Sequence, residues 1–266
     1  MKKLLLSAFV ICLAGTSIAQ ESPLWMRHCA LSPDGTTIAF TYKGDIYTVP
    51  STGGRATQIT TNPAFDTEPV WSPDSKQIAF ASDRMGSLDV FVVSSEGGAP
   101  QRLTTHSGSE KPVAYKDNKH ILFTANIAPS AEDAGFPSGQ FQQVYEVAVT
   151  GGRPAMFSSM PMECISINKE GVMLYQDKKG YEDYWRKHQV SPIARDIWTY
   201  TPGKKPVYQK QTTFGGEDRE PVWSPDGKSF YYLSEEKGSF NIFQRTPGTT
   251  TSQRRSRRCV ETRYFR

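Results

Sequence analysis

Beyond its first twenty residues this 266-residue sequence has no apolar run near the roughly 20 residues that span a bilayer as a helix. No membrane insertion of the mature chain is expected. Cysteine is also scarce: of four, Cys12 lies inside the leading apolar run, while Cys29, Cys164 and Cys259 are far apart and odd in number. That pattern gives no disulfide framework and no C-x-x-C metal clip, so buried thiols with at most one bridge are expected. The sequence has no G-x-S-x-G nucleophile elbow, no H-E-x-x-H and no Walker loop. His28, His106, His120 and His188 sit on separate segments without metal-ligand spacing, and neither metal nor cofactor is expected. Clustered cationic charge is missing from the body of the chain. Seven Arg against one Glu in residues 245–266, with Lys2 and Lys3 at the start, leave the residues between at a net −4 within the total of +4. Backbone recognition of nucleic acid needs clustered Lys and Arg, so nucleic acid is not an expected partner.

The first 19 residues read as a secretory signal. Lys2 and Lys3 precede an apolar stretch, Leu4 to Ala14, that ends in the small-residue site Ser17-Ile18-Ala19. The chain is therefore expected to be exported.

What the sequence has in plenty is turn formers and strand formers: 21 Gly and 18 Pro among 14 Phe, 12 Tyr and 5 Trp. They are arranged in a repeat. Leu31-Ser32-Pro33-Asp34-Gly35 returns as Trp71-Ser72-Pro73-Asp74-Ser75 and as Trp223-Ser224-Pro225-Asp226-Gly227, with decayed copies at Val113 to Asp117 and Ile167 to Gly171. A second element recurs as Asp45-Ile46-Tyr47, Asp89-Val90-Phe91, Gln143-Val144-Tyr145, Asp196-Ile197-Trp198 and Asn241-Ile242-Phe243. A third follows as Gly53-Gly54, Gly97-Gly98 and Gly151-Gly152, each leading to a short strand. A period of about 40–50 residues built this way predicts an all-β propeller of four-stranded antiparallel blades. Five are present, at approximately 24–60, 66–104, 110–158, 163–212 and 219–244. Pro fixes φ, Asp bonds nearby amides and Gly completes the reversal, so the repeated Asp residues are expected to be structural. Trp71 and Trp223 are expected to pack between blades. Residues 245–266 lack apolar alternation and read as a disordered basic tail, the out-of-frame end of a truncated gene, with Thr249 to Gln253 able to supply a weak fourth strand.

The pattern in Pro69 to Phe80 and Asp89 to Thr104 resembles the repeat of TolB-type and tricorn-type propellers. Phe136-Pro137-Ser138-Gly139, the stretch Tyr175 to His188, Arg195-Asp196-Ile197-Trp198 and Gly216 to Trp223 are similar to tricorn-like serine peptidases of bacterial periplasms. The resemblance covers roughly residues 24–244. It implies a non-catalytic N-terminal module that filters or guides peptides, with the peptidase and PDZ domains further along a longer chain. It also implies a periplasmic location and peptides or proteins as partners, with homo-oligomers of the full-length form left open. No catalytic residue carries over, and the chain alone is expected to be inactive. A TolB-like propeller that acts only in protein–protein interaction is the alternative reading. Six or seven blades close a ring in this group, so five are expected to leave an incomplete one.

In an up-and-down sheet alternate loops share a face. The long insertions, Asn126 to Phe141 and Lys178 to Ala194, fall opposite the short turns, and rigid scaffolds present function on such loops. Peptide contacts are therefore expected at Asp66, Glu68, Tyr184, Trp185, Arg186, Asp218, Arg219 and Glu220. Tyr181, Tyr184 and Trp185 serve equally well as a cap on the propeller or as packing for further domains.

Overall fold

The structure is a computed structural model and describes residues 25–127, 142–180 and 190–256. The expected signal, most of both insertions and residues 257–266 lie outside these. Among the described residues there is no helix; twenty strands form five four-stranded antiparallel sheets. The first blade is β1 (Arg27–Leu31), β2 (Thr37–Tyr42), β3 (Asp45–Pro50) and β4 (Thr57–Gln58), and the second β5 (Asp66–Trp71), β6 (Gln77–Ser82), β7 (Asp89–Ser94) and β8 (Gln101–Arg102). The third is β9 (Lys111–Asp117), β10 (His120–Ala125), β11 (Gln143–Ala148) and β12 (Ala155–Ser158). The fourth is β13 (Met162–Ile167), β14 (Met173–Asp177), β15 (Ile197–Thr201) and β16 (Val207–Lys210), and the fifth β17 (Asp218–Trp223), β18 (Phe230–Ser234), β19 (Asn241–Arg245) and β20 (Ser252–Arg254). In every blade the strands pair in sequence order, innermost to outermost.

The Ser-Pro-Asp turns act as the sequence predicts. Ser32 Oγ donates to Asp34 Oδ1 at 2.6 Å, which also accepts from the Thr36 amide at 2.9 Å, while Thr37 N donates back to Ser32 Oγ at 3.0 Å. The same triangle recurs at Ser72–Asp74 and Ser224–Asp226, at 2.7 and 2.5 Å. These bonds, the serine hydroxyl first, hold the three carboxylates below their ordinary range. The decayed copies keep the logic with other residues, Asn168 Oδ1 accepting from Val172 N at 2.9 Å and Asp117 Oδ1 from Lys119 N at 2.7 Å.

A second device fixes the outer strand. The hydroxyls of Thr60, Thr104 and Thr212 accept from the amides of Ile46, Val90 and Ile197 at 3.0, 2.9 and 3.0 Å. An amide at the start of the third strand has no ladder partner there, and a buried orphan would be costly. In the fifth blade Ser256 Oγ takes the same part for Ile242 N at 3.0 Å. This, with the pairing of β20 to β19, gives the fifth blade a fourth strand at Ser252–Arg254, where Thr249 to Gln253 was expected to be able to supply one. The physical reason is that backbone pairing and one hydroxyl complete the blade without apolar alternation in the strand itself.

The second, third and fourth sheets bury both faces against their neighbours and the first and fifth one face each, so the core is divided among four blade junctions. Ala39 and Ile46 of the first blade pack on Trp71, Ile78, Phe80 and Phe91 of the second. Ala79 and Val90 pack on Tyr115, Ile121 and Phe123; Leu122 and Val144 on Met162, Met173 and Tyr175; Leu174 and Ile197 on Phe230, Tyr232 and Phe243. Trp71 and Trp223 do pack between blades: their indole nitrogens donate to the carbonyls of Ala30 and Val172 at 3.0 and 3.2 Å. Contacts between consecutive blades run from the first to the fifth, and no comparable contact returns from β17 to β1 among the described residues. The arc is open.

Candidate functional site at the propeller axis

The innermost strands carry a shared irregularity. In β1, β5, β13 and β17 the register slips by one residue, between Arg27 and Ala30, Thr67 and Val70, Glu163 and Ser166, and Arg219 and Val222. At each slip a residue other than glycine stands in the left-handed region: His28 at φ 50°, Glu68 at 54°, Cys164 at 52° and Glu220 at 53°. Such a conformation costs about 1–2 kcal/mol per residue, and a bulge re-aims the side chain it carries. In β9 the corresponding place holds Pro112, whose ring forbids positive φ.

The electrostatics show where these side chains converge. Glu68 of the second blade pairs with Lys111 of the third at 2.7 Å. Burial lowers the affinity of His28 for a proton, Glu68 opposes this, and Lys111 and Arg27 add to it. Cys164 reaches solvent, yet its thiol is pushed up to about 12, first by burial and then by the carboxylates of Glu220, Glu163 and Glu68. Glu68 lies two blades from Cys164 along the chain, so its field acts across the axis. A cysteine that is wetted and closely walled in is the setting of a channel lining. Both described cysteines are free and exposed, which corrects the expectation of buried thiols: Cys164 is itself the positive-φ residue of its bulge, and Cys29 follows His28, that of β1. Cys259 lies outside the described residues.

A charged clasp stands beside this ring at the stem of the second insertion. Arg195 binds Glu163 at 3.3 Å and Glu217 at 3.2 Å, and Lys178 binds Glu163 at 3.1 Å. Gln176 donates to Glu163 at 3.0 Å and accepts the Glu220 amide at 2.8 Å. Lys179 donates to the Ala194 carbonyl at 2.7 Å and pairs with Asp196. The two ends of the insertion are thus fixed to one another and to the axial strand. Gln176, Arg195 and Glu217 fall in the stretches that carried the resemblance but were not among the expected contact residues, and Glu163 was in neither set.

The predicted contact residues separate into three groups. Asp66 and Asp218 begin the inner strands and are buried. Asp66 accepts the Arg84 guanidinium through both oxygens, at 2.9 and 3.0 Å. Asp218 has no cation in that place; burial pushes its carboxyl up to about 7, opposed by the hydroxyls of Ser234 and Thr212, and no hydrogen bond of ordinary geometry reaches either oxygen. Glu68 and Glu220 belong to the axial ring, with Arg219 beside them stacked on the Phe240 ring at 3.9 Å. Tyr184, Trp185 and Arg186 lie outside the described residues.

Comparison with known proteins agrees with the propeller fold. Residues 23–261 match the model of the tricorn protease N-terminal β-propeller domain. The "Tricorn protease homolog 1" of Streptomyces coelicolor is 39% identical over 213 residues, which are 79% of this chain and 19% of that protein. This chain therefore spans about a fifth of that relative. Among solved structures, the tricorn protease superposes with a TM-score of 0.70 at 16% identity over 88% of this chain and 22% of its own. A putative TolB from Agrobacterium tumefaciens superposes with a TM-score of 0.68 at 14% identity over 88% of this chain and 81% of its own. The chain belongs to the family of tricorn protease N-terminal β-propeller domains.

Proposed function

We propose that this chain is the non-catalytic propeller module of an exported, periplasmic tricorn-like serine peptidase, and that it receives peptide at the axial ring. The observation that carries this reading is the repeated bulge. Four blades hold a non-glycine residue in a costly conformation so that polar side chains meet at one place, and strain retained in this way marks functional positions. The buried Asp66 and Asp218 then act in the framework, and Glu68, Arg219 and Glu220 are the contact residues. With no G-x-S-x-G, H-E-x-x-H or Walker motif in the sequence, the module contributes binding, while hydrolysis belongs to domains of the longer relatives.

The test is fluorescence anisotropy of a labelled peptide library on the purified chain, compared with Glu68→Gln and Glu220→Gln. Weakened binding in both variants, with unchanged melting, is expected. Peptide binding that is indifferent to both substitutions overturns the axial reading, and peptide hydrolysis by the purified chain overturns the non-catalytic one. A second reading, a TolB-like module for protein–protein interaction, is favoured by the likeness to a TolB structure over 81% of that chain. Under it the same chain captures a folded protein and leaves short peptides unbound.

A further inference from the structure

The second and fifth blades carry the same row of buried polar side chains. Asp66, Ser82 and Asp89 stand opposite one another across three strands of the second blade, as Asp218, Ser234 and Asn241 do in the fifth, and none is more than 1% exposed. Beside each row lies a ring pair in register, Phe80 and Phe91 with centroids 5.9 Å apart, Tyr232 and Phe243 with centroids 5.8 Å apart. The Arg84 guanidinium completes the second-blade row. It donates to the two Asp66 oxygens at 2.9 and 3.0 Å and to Ser82 Oγ at 2.8 Å, and lies 4.4 and 5.5 Å from the Phe91 and Phe80 ring centroids. At the place of Arg84 the fifth blade has Glu236, partly exposed and paired with Lys237 at 3.2 Å. Asp218 Oδ1 and Oδ2 and Asn241 Oδ1 are buried without a hydrogen bond of ordinary geometry, and the lysines of this junction, Lys179 and Lys210, are held on Asp196 instead. The Tyr232–Phe243 pair faces the fourth blade, so this niche belongs to a formed junction. A cavity of about 200 Å³ lined by Asp196, Thr213 and Phe214 lies on the same side, where Asp196 and Thr212 both act on Asp218. At the first junction the equivalent Thr61 and Asn62 line, together with Arg84, a cavity of about 360 Å³.

We propose that the fifth blade binds an arginine side chain that is not its own, the guanidinium lying between Asp218, Ser234 and the Tyr232–Phe243 rings as Arg84 lies in the second blade. The chemistry selects the group. Paired carboxylate oxygens beside aromatic rings match the planar fork of a guanidinium, which also stacks on rings, whereas an ammonium is a compact and strongly hydrated point charge. A buried carboxylate without a counter-charge is costly, and a bidentate cation relieves that cost. Glu236 adds negative charge at the entrance, where the second blade supplies a positive one. Asp218 is a framework acid while it holds its proton and a ligand once it meets a cation. That the arginine arrives on a peptide rests on the axial reading, since Asp218 stands two residues before Glu220; the niche itself does not.

The experiment is thermal melting of the purified chain at about pH 8, above the value of about 7 to which burial pushes Asp218. The probes are N-acetyl-arginine amide and, in parallel, N-acetyl-lysine amide. Asp218→Asn removes the charge, and Glu236→Arg fills the niche from the blade itself; far-UV circular dichroism checks that both variants fold. The parent is expected to melt about 3–6 °C higher with the arginine compound at about tenfold its Kd. The lysine compound at the same concentration should give less than about a third of that rise. Neither variant should respond. A parent without a saturable rise, an equal rise with the lysine compound, or a parental response in either variant overturns the proposal. If the capped arginine binds as expected while labelled peptides do not bind, the niche stands and the axial reading falls.

Discussion

Raising the pH is expected to weaken the fold through Asp218, and the reason lies in a comparison between two blades. Asp66 pairs with Ser82 across its hairpin, and two residues on, Arg84 returns to bind it. Asp218 pairs with Ser234 in the same way, but two residues on stands Glu236. The carboxyl is buried with no cation, and its proton affinity rises from an ordinary 3.8 to about 7, with Asp196 and Glu236 adding to the desolvation that dominates. Between these values the folded chain holds a proton that the unfolded chain has released, so stability falls as pH rises through this window and levels off above about 7. At 1.36 kcal/mol per pKa unit the loss is on the order of 4 kcal/mol. The assay is urea unfolding at about pH 5 and about pH 8, between which about 3 kcal/mol of that loss falls. Asp218→Asn should remove most of the difference by being more stable than the parent at the higher pH. Glu236→Arg should do the same by supplying the guanidinium, over Tyr232 and Phe243, which stand where Phe80 and Phe91 support Arg84. A parent whose stability does not fall across this window, or an Asn variant that keeps the parental fall, refutes the reasoning.

Arg84→Met leaves Asp66 buried without its partner and should cost about 3–5 kcal/mol in a denaturant melt, whereas removal of an exposed pair such as Lys116–Glu146 should cost under about 1 kcal/mol. Thr104→Val keeps the shape but orphans the Val90 amide, a loss of about 1–3 kcal/mol that hydrogen exchange at Val90 should report directly. Cys164, though wetted, holds its thiol proton to about pH 12. Ellman's reagent at about pH 8 should therefore react with it far more slowly in the folded chain than after unfolding in urea, and equal rates would sink the axial placement of this residue.

The repeat was legible because turns and strand periodicity are local. Ser32-Pro33-Asp34-Gly35 closes its own hydrogen bonds within five residues, and the continuous apolar run Ile78 to Ala81 in Gln77–Ser82 declares two buried faces. Even the decayed turns at Asn168 and Asp117 could be placed, since an Asn or Asp side chain can bond the amides that follow it. Asp66 and Asp218 begin the inner strands β5 and β17, and their burial there is a tertiary outcome that no local pattern declares.

The sequence by itself determined how many blades there are, where each hairpin turns and which residues face a neighbour, because these depend on interactions that span a few residues or repeat with the period. Only the tertiary structure decided that Glu68 acts on His28 and, with Glu220, on Cys164, that Asp66 has a guanidinium and Asp218 has none, and that Leu31 and Val222 are exposed. Those outcomes depend on bulges that turn single side chains and on distances between segments far apart in the chain, and no local pattern encodes either.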